Sequence, residues 1–422
     1  MKTNYNNKIP NDFFNNVLKI STSTIISALV IAITLPIITK MFSASILGKY
    51  QLLISIITIF GVISCFKYEM AIVLPRKDNI ASNVLILCLC ALSSFCLILL
   101  LIFYLTNGVL LKAFNAENLI DTFWLIPIGV FFFGLFEIVK YSLLRKKLFN
   151  LFSRARVYQV LSTQSLIIVF GLMNPSFISL FLAFISGHFI STALFLKKSL
   201  IKIKPTKNIQ IFEIAKKFKK FPSFNTPMVF ANTLSNELPV FFLATYFSSE
   251  TLGYFLLANK LIVIPMNLIG TAINKVYFQK ASETFNRNKK NLFRLYINTT
   301  KKLILLGLPP LFMFYFSSDF IVDLIFGDKW VVTGQIMKII AITAFFKFIT
   351  SPIGTSFTII NKQDIAFYLT FLSLMLRFFI MLNFHYSISS LFWAFTISSA
   401  IYYIVYHIFV FRLLSEIAKD NE

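Results

Sequence analysis

A chain of 422 residues with 57% hydrophobic and only 14% charged residues lies outside the usual composition of soluble globular domains. The apolar residues form runs of about twenty, the length of helix that crosses ~30 Å of hydrocarbon, instead of alternating with polar positions as in a soluble enzyme. The net charge of +23 does not indicate a nucleic-acid partner, because the basic residues lie between apolar runs and not on an aromatic-interleaved surface. The composition predicts a multi-span membrane protein.

Twelve apolar runs can be placed in order as membrane-spanning helices, since a segment in lipid must satisfy its own backbone hydrogen bonds. The runs are 17–39, 47–66, 80–106, 119–140, 156–173, 176–196, 223–246, 252–274, 296–316, 332–354, 366–384 and 388–411. The predicted fold is therefore all-α and polytopic, with about twelve transmembrane helices in two six-helix lobes. We expect an N-terminal lobe at 1–196, a basic linker at 197–221 and a C-terminal lobe at 222–422.

The loops between the predicted spans indicate the orientation of the chain. Most of the 40 basic residues lie in the segments that share one side of the membrane with both termini. The loops and span ends of the opposite side carry only Lys40, Lys49, Lys112 and Lys329. Because positively charged loops are retained on the cytoplasmic side, we expect both termini in the cytoplasm.

The basic linker at 197–221 contains a candidate amphipathic helix. Its apolar and basic residues would occupy opposite sides of that helix. The apolar side would contain Ile211, Ile214, Ala215 and Phe218, and the basic side Lys216, Lys217, Lys219 and Lys220. Two interpretations stay open: a helix lying on anionic lipid headgroups, or a solvated connector that only follows the charge rule.

The turn between the first two predicted spans recurs between the seventh and the eighth. Residues 42–48 read FSASILG and residues 247–253 read FSSETLG, so each position of the second copy lies 205 residues after its counterpart. Apolar runs flank both copies. Internal repeats are typical of secondary transporters, which place the substrate site near the bilayer midplane between the repeated halves. The repeat predicts a transporter of two related halves.

Charged residues inside the predicted spans are candidates for function, because a charge at mid-span costs at least ~2.5 kcal/mol unless it faces a cavity or a partner. Together with polar residues at helical spacing, they should line a common cavity that is net cationic. The candidate substrate-binding residues are Lys40, Lys260, Lys347, Arg377, Asn232, Asn236 and Asn267. The candidates for coupling or charge pairing are Glu237, Glu69 and Lys67.

A positive aqueous cavity suits an anionic ligand such as a phosphate or pyrophosphate headgroup. Ser23, Ser27 and Thr34 suggest a further polar face on the first span. The alternative interpretation is structural: Lys338 and Lys347 extend from span ends to the interface, and Glu237 pairs with a basic neighbour.

No metal site, cofactor or catalytic constellation is expected. The three histidines are scattered along the chain, the four cysteines lack metal-ligand spacing, and no phosphate-binding P-loop is present. We therefore expect a transporter and not an enzyme, with no nucleic-acid partner.

One element resembles a known family. Residues 66–75, FKYEMAIVLP, resemble the (R/K)YE-x-AIVLP element of bacterial polysaccharide biosynthesis flippases of the Wzx type, within the multidrug/oligosaccharidyl-lipid/polysaccharide exporter (MOP) superfamily. Further similar segments are ITKMFSASILGKY at 38–50, LGYFLLANKLIVIP at 252–265 and FGDKW at 326–330. Lys40 departs from the arginine that relatives often have, which keeps the charge but loses the bidentate fork.

The resemblance implies a MATE/MurJ-like fold with a central cationic cavity. It also implies movement of an undecaprenyl-diphosphate-linked oligosaccharide, such as an O-antigen, capsule or exopolysaccharide repeat unit, from the cytoplasmic to the periplasmic leaflet of the bacterial inner membrane by alternating access. Membrane lipids, a glycan polymerase and a chain-length regulator are further expected partners. Two alternatives stay open: a drug/cation exporter of the same superfamily, for which acidic cavity residues are expected, and a membrane-embedded glycan polymerase or transferase.

Overall fold

The computed structural model describes residues 11–75, 77–106, 122, 124–199, 211–287 and 289–419. Within its helices, the side chains of 11–21, 267–268, 271–272, 275, 286–287 and 290 are not described. The described residues form helices and their connections, which confirms the all-α prediction.

Twelve helices of 20 residues or more follow one another in the described part of the chain. They are α1 Asn11–Met41, α2 Ala44–Ile63, α3 Asp78–Leu105, α4 Leu125–Arg145, α5 Phe149–Met173, α6 Phe177–Ser199, α7 Thr226–Tyr246, α8 Ser249–Arg287, α9 Lys289–Phe326, α10 Val331–Thr350, α11 Gln363–Asn383 and α12 Ile388–Lys419. Short helices at Tyr68–Ala71, Ile211–Lys217 and Ser356–Ile359 lie in the connections.

Ten helices in the described residues are long and apolar enough to cross a membrane by length and composition. Helix α7 is not among them, because Asn232, Asn236 and Glu237 interrupt its apolar sequence near the centre. Helix α8 is also not among them, but some of its side chains lie outside the described residues. The prediction of a polytopic helical membrane protein is confirmed, with ten candidate spans where the sequence predicted about twelve.

Apolar residues cover the outside of the bundle as well as its interior. Leu172 and Leu324 are 75% and 72% exposed, while Leu53 and Leu257 are fully buried in one core that includes residues of both halves. Soluble monomers rarely expose apolar patches of this extent. The outer leucines are placed to contact acyl chains, as a membrane-spanning bundle requires.

The alternating helix directions define two sides of the molecule. The side that carries the described connecting residues 64–75, 146–148 and 211–225 is here called the linker side. The opposite side, which carries the connections 42–43, 174–176 and 247–248, is called the turn side.

The two copies of the repeated turn contact each other on the turn side, where α2 packs against α8. A Cβ atom added to Gly48 would lie 1.7 Å from the carbonyl oxygen of Ser249, and one added to Gly253 would lie 1.9 Å from that of Ala44. Ser249 is the repeat counterpart of Ala44, so the same contact is made twice, as across an approximate two-fold axis. We call this pair of contacts the glycine contact; it resembles the small-residue interfaces that let membrane helices approach closely.

The repeated serines cap the helices that make the glycine contact. The Ser43 hydroxyl accepts a hydrogen bond from the backbone N–H of Ile46 at 3.4 Å, and the Ser248 hydroxyl accepts one from Thr251 at 3.2 Å. Both serines stand directly before their helices, where such a bond satisfies an otherwise free N–H group. The repeated sequence therefore encodes a helix start followed by a close helix–helix approach.

On the linker side, Arg145 at the end of α4 holds the connection between α2 and α3. Its Nη1 donates to the carbonyl oxygens of Ile72 at 3.1 Å and Pro75 at 2.6 Å. Its Nη2 pairs with Asp78 at 2.8 Å, but Asp78 is exposed, so this ion pair contributes little. The two carbonyl bonds fix the backbone of the AIVLP sequence against α4.

The described part of the linker consists of the helix Ile211–Lys217 and a π-helical turn at Phe221–Asn225. Ile211, Ile214 and Ala215 pack against the core, and the Tyr68 hydroxyl donates to the carbonyl oxygen of Ala215 at 3.4 Å. The apolar side of this helix is thus covered by the protein itself. The boundaries 1–196, 197–221 and 222–422 stay predictions.

Candidate functional site

A cavity of about 160 Å³ lies between helices of the second half of the chain. Arg377 of α11 and Lys347 of α10 bring two positive charges to its wall, and Glu237 of α7 brings one negative charge. The uncharged polar lining residues are Asn236, Asn259, Thr343 and Tyr403. Lys347 also lines a small adjoining cavity of about 30 Å³. The wall therefore carries a net positive charge.

Arg377 is a buried cation held by neutral groups. Its side chain is 3% exposed, and Nη1 donates to the hydroxyl of Ser235 at 2.8 Å and to the Ser235 carbonyl oxygen at 3.2 Å. Its Cζ lies 5.3 Å from the ring centroid of Phe395 and 5.7 Å from that of Tyr402, within the range of a cation–π interaction. Within the described residues it has no carboxylate partner, and its Nε has no hydrogen bond. Because a buried unpaired charge costs several kcal/mol, this guanidinium favours an anion in the cavity.

Lys347 lines the same cavity. Its Nζ donates to Oδ1 of Asn236 at 3.5 Å, which is a long and weak hydrogen bond. Asn236 in turn donates from Nδ2 to the carbonyl oxygen of Asn232 at 2.6 Å. Asn232 is exposed and does not line the cavity, so it acts on the site only by fixing the amide of Asn236.

Glu237 links the cavity wall to the first half of the chain. The Ser55 hydroxyl of α2 donates to Oε2 of Glu237 at 2.6 Å, and Gln51 Nε2 donates to the Ser55 oxygen at 3.0 Å. Ser55 is almost fully buried. A short hydrogen bond to a carboxylate is about twice as strong as one between neutral groups, so this contact ties α2 to α7.

We expect Ser55→Ala to destabilise the protein. The substitution removes a buried hydrogen bond to a charged acceptor, and such bonds contribute about 1.5–3 kcal/mol. Thermal unfolding of the purified protein in detergent would show a lowered midpoint. Ser64→Ala is the matched control, because the Ser64 hydroxyl is equally buried but bonds only groups of its own turn, the Gly61 carbonyl oxygen at 2.8 Å and Cys65 Sγ at 3.9 Å. Equal midpoints for the two variants would contradict the role of Ser55.

Besides Asn232, the predicted residues Lys40 and Lys260 do not line the cavity. Lys40 is exposed at the turn-side end of α1. Lys260 is half-buried on the face of α8 that carries Gly253, seven residues earlier, which packs against α2. Within the described residues Lys260 has no hydrogen-bond or ion-pair partner. The side chain of Asn267 lies outside the described residues.

The lining residues of this cavity run from Asn236 to Tyr403 and all belong to the second half. That one cationic cavity is lined by residues of both halves therefore stays a prediction. The polar residues predicted to form a face on the first span do not line this cavity. The Thr34 hydroxyl donates to Gln164 Oε1 of α5 at 2.9 Å, and Ser23 and Ser27 are buried. Thr34 therefore bonds within the first half, whereas the Ser27 hydroxyl has no hydrogen-bond partner in the described residues. The first half reaches the cavity wall through Ser55.

Lys67 and Glu69 form a pair on the linker side, away from the cavity. Lys67 Nζ lies 3.1 Å from Glu69 Oε1, and Glu69 is 3% exposed. Burial raises the pKa of the Glu69 carboxyl above its ordinary value, and the Lys67 ammonium opposes that shift.

Lys338 does not extend freely to the interface, because it pairs with Asp319 of α9.

Sequence reasoning missed Ser55 and Asn259. Asn259 shares a face of α8 with Ile262, Val263 and Met266, all of which line the two cavities. A single amide in that apolar face was a signal that could have been used. No comparable signal marks Ser55, since a serine in an apolar helix usually bonds its own backbone.

Comparisons with known proteins agree with this architecture. A sequence profile of a family described as polysaccharide biosynthesis protein matches residues 47–335. The teichuronic acid biosynthesis protein TuaB of Bacillus subtilis (strain 168) is 26% identical over 154 residues, which are 36% of this chain. The matched region spans only 32% of that relative.

Solved structures of transporters share the fold. The lipid II flippase MurJ in an inward closed conformation superposes with a TM-score of 0.73 at 16% identity, over 94% of this chain and 89% of that chain. An inward-facing multidrug resistance MATE family transporter superposes with a TM-score of 0.63 at 15% identity, over 96% of this chain and 95% of that chain. A MOP superfamily transporter from Pyrococcus furiosus superposes with a TM-score of 0.57 at 16% identity, over 95% of this chain and 96% of that chain. That protein is described as having a binding pocket of reverse polarity. The chain thus belongs to the polysaccharide biosynthesis protein family and has the fold of MOP superfamily transporters.

Proposed function

We propose that this protein moves an undecaprenyl-diphosphate-linked oligosaccharide from the cytoplasmic to the periplasmic leaflet of the bacterial inner membrane. The repeat unit of an O-antigen, a capsule or an exopolysaccharide is the proposed glycan. The observation that carries the proposal is the buried guanidinium of Arg377, which has no carboxylate partner in the described residues and shares a cavity with Lys347. A diphosphate supplies the missing negative charge, and arginine offers paired donors to it.

The proposed orientation places the linker side in the cytoplasm. Most of the exposed lysines and arginines in the described residues lie in the connections and helix ends of the linker side, and basic loops are retained on the cytoplasmic side. Both termini then lie in the cytoplasm. In this orientation the glycine contact closes the periplasmic side, and transport requires the two halves to move apart there.

Glu237 couples binding to that movement in the proposed cycle. Its carboxylate lies on the same wall as the two cations and accepts the hydrogen bond from Ser55 of α2. An incoming diphosphate repels this carboxylate. The bond between α2 and α7 weakens as a result, which lowers the cost of separating the halves.

Transport of a fluorescent undecaprenyl-diphosphate sugar in proteoliposomes tests the proposal. We expect the purified protein to move it between leaflets faster than protein-free vesicles do, and the same sugar on a monophosphate to move more slowly. Extrusion of the cationic dye rhodamine 6G without movement of the diphosphate lipid would instead assign a drug exporter. New glycosidic bonds formed by the purified protein would assign a polymerase or transferase.

Glu237→Gln should raise affinity for the diphosphate lipid about tenfold, which corresponds to about 1.4 kcal/mol. Glutamine keeps an acceptor for the Ser55 hydroxyl but removes the negative charge that repels the ligand. The measurement is equilibrium binding of the fluorescent lipid to the purified variant. Glu250→Gln is the control, because Glu250 is exposed on the turn side and bonds only Tyr254. An unchanged or weaker affinity in Glu237→Gln would refute the repulsion.

A further inference from the structure

The described part of the linker carries a basic surface in which four lysines outnumber one exposed carboxylate, that of Glu213. Lys216, Lys217, Lys219 and Lys220 are all exposed. None of their side chains forms an ion pair or hydrogen bond within the described residues, and of the four ammonium groups only that of Lys217 has an aromatic contact there, 5.8 Å from the ring centroid of Phe218. Four ammonium groups within five residues create a positive potential that attracts an anionic partner from outside the protein.

Two phenylalanines flank these lysines and expose their rings. Phe212 is 82% exposed and Phe224 is 65% exposed, whereas the apolar residues between them pack on the core. Helix α7 begins at Thr226, two residues after Phe224, so the surface lies at the end of a helix of the bundle. Lysines and exposed aromatic rings at the end of a membrane helix are typical of residues that lie at the boundary between lipid headgroups and acyl chains.

The structure assigns the surface formed by Phe212, Lys216, Lys217, Lys219, Lys220 and Phe224 as a binding site for anionic phospholipid headgroups, and we propose that an occupied site holds the linker helix against the connection between α2 and α3. The lysines bind the phosphates, and the two rings enter the acyl boundary. The apolar side of the helix is already used by the core, so the lipid site is confined to the opposite side.

The contact with the neighbouring connection is specific. The Tyr68 hydroxyl donates to the Ala215 carbonyl oxygen of the linker helix. Directly before it, Phe66 and Lys67 have positive φ angles of 49° and 58°, a left-handed conformation that persists only where the surroundings impose it. Lipid bound to the lysines stabilises the helix that covers this turn.

Lipid retention by the full-length protein tests the site. The purified protein is exchanged into vesicles that mix phosphatidylglycerol with phosphatidylcholine, and the bound lipids are counted by native mass spectrometry. We expect at least a tenfold preference for phosphatidylglycerol in the wild type. Replacing all four lysines by glutamine should abolish that preference. The control replaces Lys301, Lys302, Lys362 and Lys419, which are also exposed, so that it loses the same charge but should keep the preference.

Two measurements on the wild type keep the test independent of how the variant folds. The preference should fall when salt is raised from 0.1 M to 1 M, because the screening length shortens from about 10 Å to about 3 Å. Hydrogen exchange of residues 64–75 should slow in phosphatidylglycerol vesicles relative to phosphatidylcholine vesicles. A salt-independent preference, equal retention by both variants, or binding of an acidic polypeptide in place of lipid would overturn the proposal. No glycan is present in these assays, so their outcome does not depend on the transport function.

Discussion

Arg377→Ala is expected to reduce transport of the diphosphate lipid by at least about 100-fold. The substitution removes a cation from the cavity wall. The attraction between two opposite unit charges ~4 Å apart, here the guanidinium and a phosphate, amounts to about 4 kcal/mol at an effective dielectric constant of 20. Arg377→Lys should lose about tenfold, because lysine keeps the charge but not the planar set of donors that reaches Ser235. The measurement is the leaflet-exchange rate of the fluorescent lipid in proteoliposomes.

The Arg377→Ala protein should remain folded. Removing Arg377 loses its bonds to Ser235 but also removes the cost of a buried charge with no acidic partner in the described residues. The unfolding midpoint is therefore expected to change little. Lys338→Gln is the control, because Lys338 pairs with Asp319 outside the cavity and its loss should leave transport unchanged. A folded Arg377→Ala protein that transports at the wild-type rate would exclude the guanidinium from substrate binding.

Gly48→Ala and Gly253→Ala are each expected to reduce transport at least about tenfold, although each adds only one methyl group. The new Cβ would overlap backbone atoms of the partner helix, so α2 and α8 must separate on the turn side. Overpacking of this kind costs about 1–3 kcal/mol. Spin labels at Ser45 and Glu250 should report a longer distance across the contact than in the protein with native glycines.

Gly270→Ala separates this effect from a general effect of alanine in α8. A Cβ at Gly270 would lie 3.9 Å from the nearest atom, in the ring of Phe348. Alanine also stabilises a helix relative to glycine by up to about 1 kcal/mol. Gly270→Ala should therefore keep wild-type transport and spin-label distance. If all three variants behaved alike, the glycine contact would have no role in the cycle.

The positions of the helices could be predicted from apolar runs, but the lengths of several could not. The predicted span 296–316 belongs to α9 Lys289–Phe326, and the predicted span 252–274 belongs to α8 Ser249–Arg287. Hydropathy detects the part of a helix that matches hydrocarbon, whereas hydrogen bonding continues the helix into polar sequence on both sides. The extensions beyond the spans therefore gave no hydropathy signal.

The site could be predicted only in part, because helical spacing identifies a polar face but not its direction. Lys347, Arg377, Asn236 and Glu237 were candidates and do share one cavity. Lys260 was also a candidate, but the neighbouring residue Asn259 lines the wall instead. One residue turns an α-helix by 100°, so the choice between adjacent positions depends on how the helices pack. Packing between distant segments is not contained in the local pattern.

The polar centre of α7 has a consequence for how the chain enters the membrane. Glu237 lies at mid-helix, and a charged residue at that depth opposes translocon-mediated insertion by about 3 kcal/mol. Its carboxylate is satisfied by Ser55 of α2, a helix synthesised much earlier. We therefore expect the first half, which is already in the bilayer, to assist insertion of the second half by supplying this hydrogen bond. Expressed as separate fragments, residues 226–422 should integrate poorly alone and recover when residues 1–225 are co-expressed.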